Sequence, residues 1–314
     1  MLPIASALLL CLAAPAAPEV RAEGAELVFH VRGTAPGDGF GLSAATISDV
    51  DGDEVPDLAV GVPVRGLVRF VSGSNGATIS HHHGGPGFGA RLDHADVDGD
   101  GELDLLAGPV AGSSGARRIF SGQDGTQLPV AFAPGTPADR LGDPLARRTW
   151  MVGDADNDGH ADRAEPFTTK EGQRAVKLRS GVTGDTLATL VSDRSGDAFG
   201  WSVADAGDVN GDGHADVIVG APSDDSRTQD AGAAWIFSGS DGHVLAVIRG
   251  AERGSRLGTL VGTLGDTDGD GADEIWVTSF EGADEGAGTG VLGVYKVDAQ
   301  AELDTDPSDE PISG

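Results

Sequence analysis

Apolar residues in this chain come in short runs fenced by acidic or glycine-rich stretches. Leu58 to Val62, Leu105 to Ala107, Val217 to Val219 and Ile275 to Val277 are such runs. They are too short for helices and suit buried strands. Each follows at once on an acid-rich nonapeptide. Next comes another strand-like segment ending in Ser-Gly and a turn: Ser72 to Gly76, Ser121 to Gly125, Ser180 to Gly184 and Ser238 to Gly242. Asn-Gly and Asp-Gly between apolar runs predict hairpins. Ahead of each nonapeptide stands an aromatic residue or Leu followed by Gly: Phe40-Gly41, Phe88-Gly89, Leu141-Gly142, Phe199-Gly200 and Leu257-Gly258. Every unit thus reads strand, acidic loop, strand, connection, strand, glycine-rich turn, strand.

The nonapeptides begin at residues 49, 96, 154, 208 and 266, a spacing of 47 to 58 residues. A repeat of that size suits a four-stranded propeller blade. The two ends of the repeat region complement one another. Glu26 to Gly33 resembles a fourth strand such as Val244 to Gly250, while the fifth unit stops after its third strand, Gly290 to Val297. The expected fold is all-β, a propeller of about five four-stranded blades, closed by the N-terminal strand completing the last blade. Closure removes exposed sheet edges. The third unit departs from the pattern, with Arg163-Ala164-Glu165-Pro166 where an apolar strand belongs, and a short or distorted edge is expected there.

The nonapeptides carry the chemistry. Positions 1, 3, 5 and 9 hold Asp49, Asp51, Asp53 and Asp57; Asp96, Asp98, Asp100 and Asp104; Asp154, Asp156, Asp158 and Asp162; Asp208, Asn210, Asp212 and Asp216; and Asp266, Asp268, Asp270 and Glu274. Alternate residues of a tight loop can aim their oxygens at one point, and a hard cation taking six to eight oxygens wants such a set. Position 7 (Val55, Glu102, His160, His214, Ala272) varies freely in side chain and would offer its backbone carbonyl. Position 6 is Gly101, Gly159, Gly213 and Gly271, as a sharp turn with positive φ demands; Glu54 departs from this in the first loop. Up to five calcium ions are expected. Magnesium keeps its waters and rarely uses an all-protein cage, and zinc wants Cys or His. An EF-hand needs a bidentate Glu at position 12 and flanking helices. Position 12 here is Val60, Ala107, Glu165, Val219 and Val277, and strands follow.

Composition adds compartment and partner class. The formal charge is −29, which argues against a nucleic-acid partner, since that would need a basic face. Residues 1–22 read as a secretory signal peptide, apolar from Ile4 to Ala17 with a cleavage site before Glu23, although no Lys or Arg precedes Ile4. The one cysteine, Cys11, lies in that leader. The expected location is secreted or extracytoplasmic, in the periplasm or at the cell surface. After the leader no segment approaches the ~20 apolar residues of a membrane span. Residues 23–298 form the repeat region, and 299–314 read as a disordered acidic tail.

Phe199-Gly200, the loop from Asp208 to Asp216 and Gly220-Ala221-Pro222 together resemble an FG-GAP repeat, the blade of integrin α-subunit propellers. The resemblance spans roughly residues 26 to 297. It implies a propeller with calcium held between the first two strands of each blade. Gly-Ala-Pro weakens to Gly61-Val62-Pro63 and Gly108-Pro109 and is absent after the third and fifth loops. Integrin propellers have seven blades, against five counted here, and no adhesion function carries over.

Enzyme signatures are missing: there is no His-Glu-x-x-His, Gly-x-Ser-x-Gly or Gly-Lys-Ser/Thr. His81-His82-His83 reads as a solvated strand end opposite the acidic loops, with a transition-metal cluster as the alternative. Trp150, Trp201, Trp235 and Trp276 read as core residues, with sugar stacking open for one of them. Ser223 to Gly232 reads as a solvated loop or, alternatively, a recognition loop. The expected function is a calcium-binding protein- or carbohydrate-binding scaffold with structural calcium. The alternative is a propeller hydrolase or lyase acting on a carbohydrate or phosphoester, which a His, Asp and Arg set converging in the central channel would favour.

Overall fold

The structure, a computed structural model, describes residues 21–95, 102, 104–109, 117–129, 150–194, 196–280 and 289–298. The leader before residue 21, Asp96, Asp98, Asp100, Leu141-Gly142 and the tail after residue 298 lie outside them.

The described residues form antiparallel sheets and no helix. The first sheet orders β3 (Ala44–Ile47), β4 (Asp57–Val62), β5 (Leu67–Val71) and β6 (Thr78–His83). The second holds β7 (Arg91–Ala95), β8 (Asp104–Gly108) and β9 (Arg118–Phe120), and the third β10 (Trp150–Val152), β11 (Asp162–Thr168), β12 (Arg174–Arg179) and β13 (Thr186–Val191). The fourth runs β14 (Ser202–Gly207), β15 (Asp216–Ala221), β16 (Ala233–Phe237) and β17 (Val244–Arg249), with β1 (Arg21–Glu23) added along β17. The expected leader boundary falls inside β1, after Ala22. In the fifth sheet, β18 (Val261–Gly265), β19 (Glu274–Phe280) and β20 (Gly290–Val297) are joined by β2 (Ala25–Arg32). There Val31 lies opposite Leu292, and the Asp298 N–H donates to the Gly24 carbonyl at 2.8 Å. Five sheets of about four strands are consistent with propeller blades.

Buried side chains lie between successive sheets rather than under one of them. Leu178, Phe199 and Trp235 join the third and fourth sheets; Ile236, Val277 and Tyr295 the fourth and fifth. Val31, Leu58 and Trp276 join the fifth and first, and Phe70, Phe88 and Phe120 the first and second. This explains why the second strands are apolar without alternation: β4, β8 and β15 are buried on both faces.

The Phe-Gly pairs sit at these junctions. Phe40, Phe88 and Phe199 are fully buried. The carbonyl of Gly258 accepts the Ser202 hydroxyl of the preceding sheet at 2.9 Å, and a Cβ on Gly220 would lie 2.0 Å from that same oxygen. A Cβ on Gly61 would likewise lie 1.9 Å from the Gly89 carbonyl oxygen. Glycine at the head of Gly-x-Pro is therefore set by the close approach of the next Phe-Gly turn.

One expectation is corrected. β11 is a seven-residue strand and not a short one; it pairs with β12 from Arg163 to Thr168 and with β10 from Asp162 to Ala164. Its polar residues are half-buried on one face, where Glu165 accepts Arg179 Nε at 2.8 Å. Pro166 lies past Trp150, the first described residue of β10, which faces Ala164.

In the first sheet the loop after β3 and the turn after β5 leave one edge of the sheet. The turn after β4 and the Phe-Gly connection leave the other. The acidic loops of neighbouring sheets touch. The Ala215 N–H donates to the Asp154 carbonyl and the Asp273 N–H to the Asp208 carbonyl, both at 3.0 Å. The matching residue of the first loop, Pro56, has no N–H to give.

Candidate functional site

Each described loop is built by its own carboxylates. The first-position acid accepts backbone N–H groups with both oxygens. Asp49 takes Gly52 and Glu54, each at 2.7 Å; Asp154 takes Asp158 at 2.9 Å and Gly159 at 2.7 Å. Asp208 takes Asp212 at 3.0 Å and Gly213 at 2.8 Å; Asp266 takes Gly269 at 2.7 Å and Gly271 at 2.9 Å. The fifth-position acid then accepts the N–H of position 7, from Val55, His160, His214 and Ala272, at 2.9 to 3.1 Å. Such local Asp-to-backbone bonds are why the loop wants Asp rather than Glu at these places.

The ninth-position acid has a role that its spacing did not suggest. Asp57, Asp162 and Asp216 are fully buried, and each ties two segments together. One oxygen accepts the N–H of position 2 (Val50, Ala155, Val209) and the other the N–H of the Ser-Gly turn (Gly73, Gly181, Gly239), all within 2.8 to 3.1 Å. Asp104 accepts Gly122 at 3.0 Å in the same way. The repeated Ser-Gly in phase with the loops was the available signal. The turn hydroxyls also reach the loop, with Ser74 Oγ 2.6 Å from Asp53 Oδ2. In the fifth sheet no chain turn joins β20 to β2. Glu274 there binds Thr267 through Oε2, at 2.7 Å to its N–H, while Oε1 is buried with no partner among the described residues.

Carboxylates converge in three loops. Asp49, Asp51 and Asp53; Asp154, Asp156 and Asp162; and Asp266, Asp268 and Asp270 each bring ligand oxygens within 4.8 Å of one another. In the fourth loop Asn210 Nδ2 donates to Asp212 Oδ2 at 3.1 Å. Charge is distributed unevenly. Burial works against ionised Asp49, yet four backbone N–H groups hold it below the ordinary carboxylate range. Burial and the charges of Asp53 and Asp49 push Asp51 up. Burial and the charges of Asp162 and Asp158 likewise push Asp156 up, and its Oδ1 is buried without a partner among the described residues. An all-oxygen donor set with an orphaned carboxylate oxygen fits a hard divalent cation.

Elsewhere, strand alternation splits the His cluster. His82 packs between Phe70 and Phe120, its centroid 4.4 Å from each, while His81 and His83 face the other way. A three-imidazole metal site is not formed. Trp235 and Trp276 are core residues, but Trp201 is 58% exposed on the edge away from the loops. In the connection from Ser223 to Gly232, Asp224 is fully buried and accepts the Ser226 N–H at 2.8 Å, so it anchors the loop.

With this geometry in place, comparisons with known proteins agree with the motif reading. The FG-GAP repeat pattern matches residues 199–237. The chain carries an FG-GAP repeat and is integrin-alpha-like. Integrin alpha-PS2 of Drosophila melanogaster is 30% identical over 212 residues, 64% of this chain and 12% of that protein. Integrin alpha pat-2 of Caenorhabditis briggsae is 29% identical over 214 residues, 65% of this chain and 14% of that protein. The FG-GAP chain thus matches only a small part of the length of these relatives. A solved protein of unknown function from Dyadobacter fermentans DSM 18053 covers 87% of this chain and 99% of its own, at 12% identity and a TM-score of 0.45.

Proposed function

We propose that this FG-GAP chain is a closed five-bladed propeller, exported from the cytoplasm and held by calcium. It serves as a binding or scaffold module for a protein or glycan. The observation that carries the reading is the convergence of loop carboxylates, with the orphaned oxygens of Asp156 and Glu274 beside them. The ligands would be the side chains at positions 1, 3, 5 and 9 and the carbonyl of position 7 in each loop. A carboxylate has about four lone-pair sites, so the ninth-position acids can bind two N–H groups and still face an ion.

Several carboxylates within ~4 Å repel by about 1 kcal/mol per pair in water and about 4 at an effective dielectric of 20. Extracellular calcium modules bind with dissociation constants of about 0.1 to 1 mM, which at millimolar calcium gives about 0.4 to 1.4 kcal/mol per site. Over five loops that is roughly 2 to 7 kcal/mol, against a domain margin of about 5 to 15. Calcium is therefore structural in this reading.

The partner docks on the edge away from the loops, where Trp201, Val64 (70% exposed) and Leu42 (47% exposed) stand in solvent. The hydrolase or lyase reading is less well supported. His81, His83, Arg65 and Arg69 do gather with Asp38, but beside the outer strands of the first sheet. Asp38 has both oxygens bonded to backbone N–H groups, of Thr34 and Ala35 on one and Phe40 on the other, and is a poor candidate base.

Thermal melting with 2 mM calcium and with EDTA tests the structural role; an unchanged midpoint rejects it. A glycan and surface-protein binding screen, run in both buffers, then identifies the partner class.

A further inference from the structure

Although the formal charge is −29, one pocket of about 240 Å³ gathers cationic side chains. It lies on the edge away from the acidic loops, between the link from β2 to β3 and the outer strands of the first sheet. Alternation builds its wall: Leu67 lies opposite His83 and Arg69 opposite His81, so these four share a face. Arg65 enters from the turn after β4, where its Nη1 donates to the Thr34 hydroxyl.

Arg69 is 93% buried (7% exposed). Its guanidinium lies 4.2 Å over the Phe40 ring and donates through Nη2 to the Arg32 carbonyl at 2.5 Å. Its Nε is buried with no partner among the described residues. Asp38, the acid of the pocket, is already bonded to three backbone N–H groups. Two guanidinium groups and two exposed imidazoles therefore face one carboxylate whose oxygens are engaged.

We propose that this pocket binds an oxyanion group, a carboxylate or a sulfate, carried by the module's partner. The fork of an arginine matches such groups in two-point fashion, and stacking on a ring fixes the fork in advance. The volume is below the roughly 300 to 1,000 Å³ of sites for drug-sized ligands, so it suits one group rather than a whole molecule. The acidic loops do not forbid an anion here. They sit a strand away, about 20 Å for six residues at ~3.3 Å each, and the screening length is about 8 Å at physiological salt. The proposal deepens the reading of this edge as the docking edge and rests on it.

The test uses the calcium-loaded full chain. Ring resonances of His81 and His83, assigned through His81→Gln and His83→Gln, are followed while sodium sulfate and, separately, sodium acetate replace chloride at constant ionic strength. Saturable shifts of these two rings, but not of His214 and His243 in the loop and turn on the far edge, are expected. Arg65→Gln should weaken the binding at least about tenfold, about 1.4 kcal/mol. Response to sulfate alone identifies a tetrahedral group, and response to acetate a carboxylate. Shifts that fail to saturate with either anion, or an Arg65→Gln titration like the parent's, overturn the proposal. The calcium-dependent melting shift is recorded on the same samples. An intact shift without anion binding removes the pocket alone, whereas a missing shift rejects the calcium-held module and leaves the anion titration to judge the pocket.

Discussion

Lys296 Nζ lies 2.5 Å from Asp268 Oδ2 and 2.7 Å from Asp270 Oδ2, so the fifth loop carries an internal cation. Bonds to the two carboxylates push the ammonium pKa up, and the lysine in turn holds Asp270 below the ordinary carboxylate range. A divalent ion entering there must displace a bonded ammonium, whereas the first and third loops offer no such competitor among the described residues. Replacing the lysine should separate the two effects. Lys296→Gln is expected to bind calcium several-fold more tightly at this loop and to melt lower in EDTA. Calorimetric calcium titration with paired melts checks it, and parent and variant titrating alike would show that the lysine does not compete.

The sixth position of the loops yields a second expectation. Gly159, Gly213 and Gly271 have φ of 89°, 85° and 93°, and Glu54 is forced to 70° in the first loop. A side chain in this region costs roughly 1 to 2 kcal/mol, offset by the roughly 0.5 to 1 that glycine loses in flexibility. Glu54→Gly should stabilise by about 0.5 to 1 kcal/mol. At Gly213 an added Cβ meets nothing within 4 Å, so Gly213→Ala should cost about 1 kcal/mol through backbone strain alone. Urea unfolding in EDTA measures both without a calcium contribution, and equal midpoints for all three proteins would remove the strain argument.

The loops themselves were legible because their chemistry is local. Asp49 and Asp154 bond to N–H groups within five residues, so residue type and spacing carry the whole geometry. The bond from Gly73 to Asp57 spans 16 residues and emerges only once the register of β4 on β5 is known. Lys296 reaches Asp268 across 28 residues and a sheet edge, which no spacing rule anticipates. The polar β11 departs from the expectation because apolar content marks a second strand only where both its faces are buried, as in β4 and β15. Pairing with β12 from Arg163 to Thr168 holds it regardless. For His81-His82-His83 the reading as a solvated strand end holds for the exposed His81 and His83 but not for His82, because successive strand residues face opposite ways.

That alternation gives His82 a testable pH signature. Burial between Phe70 and Phe120, with the nearby charges of Arg118, His81 and His83, holds its pKa below the ordinary histidine value. For a base with a depressed folded pKa, the unfolded chain takes the proton more readily. The contribution is therefore complete above the unfolded value near 6.5 and is lost as pH falls through and below it. His82→Phe keeps a ring in the stack and removes the titration. It should lose less stability than the parent between pH 7 and pH 5, by urea midpoint. Identical losses would assign the acid sensitivity to other groups.

Asp197 behaves in the opposite sense. Its Oδ1 accepts the Phe199 N–H at 3.1 Å, while its Oδ2 and the Oδ2 of the fully buried Asp224 lack partners among the described residues. Burial, and then the charge of Asp224, push its pKa above the carboxylate range despite the bond from Phe199. For an acid raised in this way the folded state holds the proton more tightly. Stability is greatest below the unfolded value near 3.9 and declines as pH rises through the folded one. Asp197→Asn retains the acceptor for Phe199 and places an amide where an unpaired charge stood. It should stabilise by about 1 kcal/mol at pH 7, the scale of a buried unsatisfied group, and the gain should shrink toward pH 4. A gain independent of pH would mean that packing, and not the carboxylate charge, decides this junction between the third and fourth sheets.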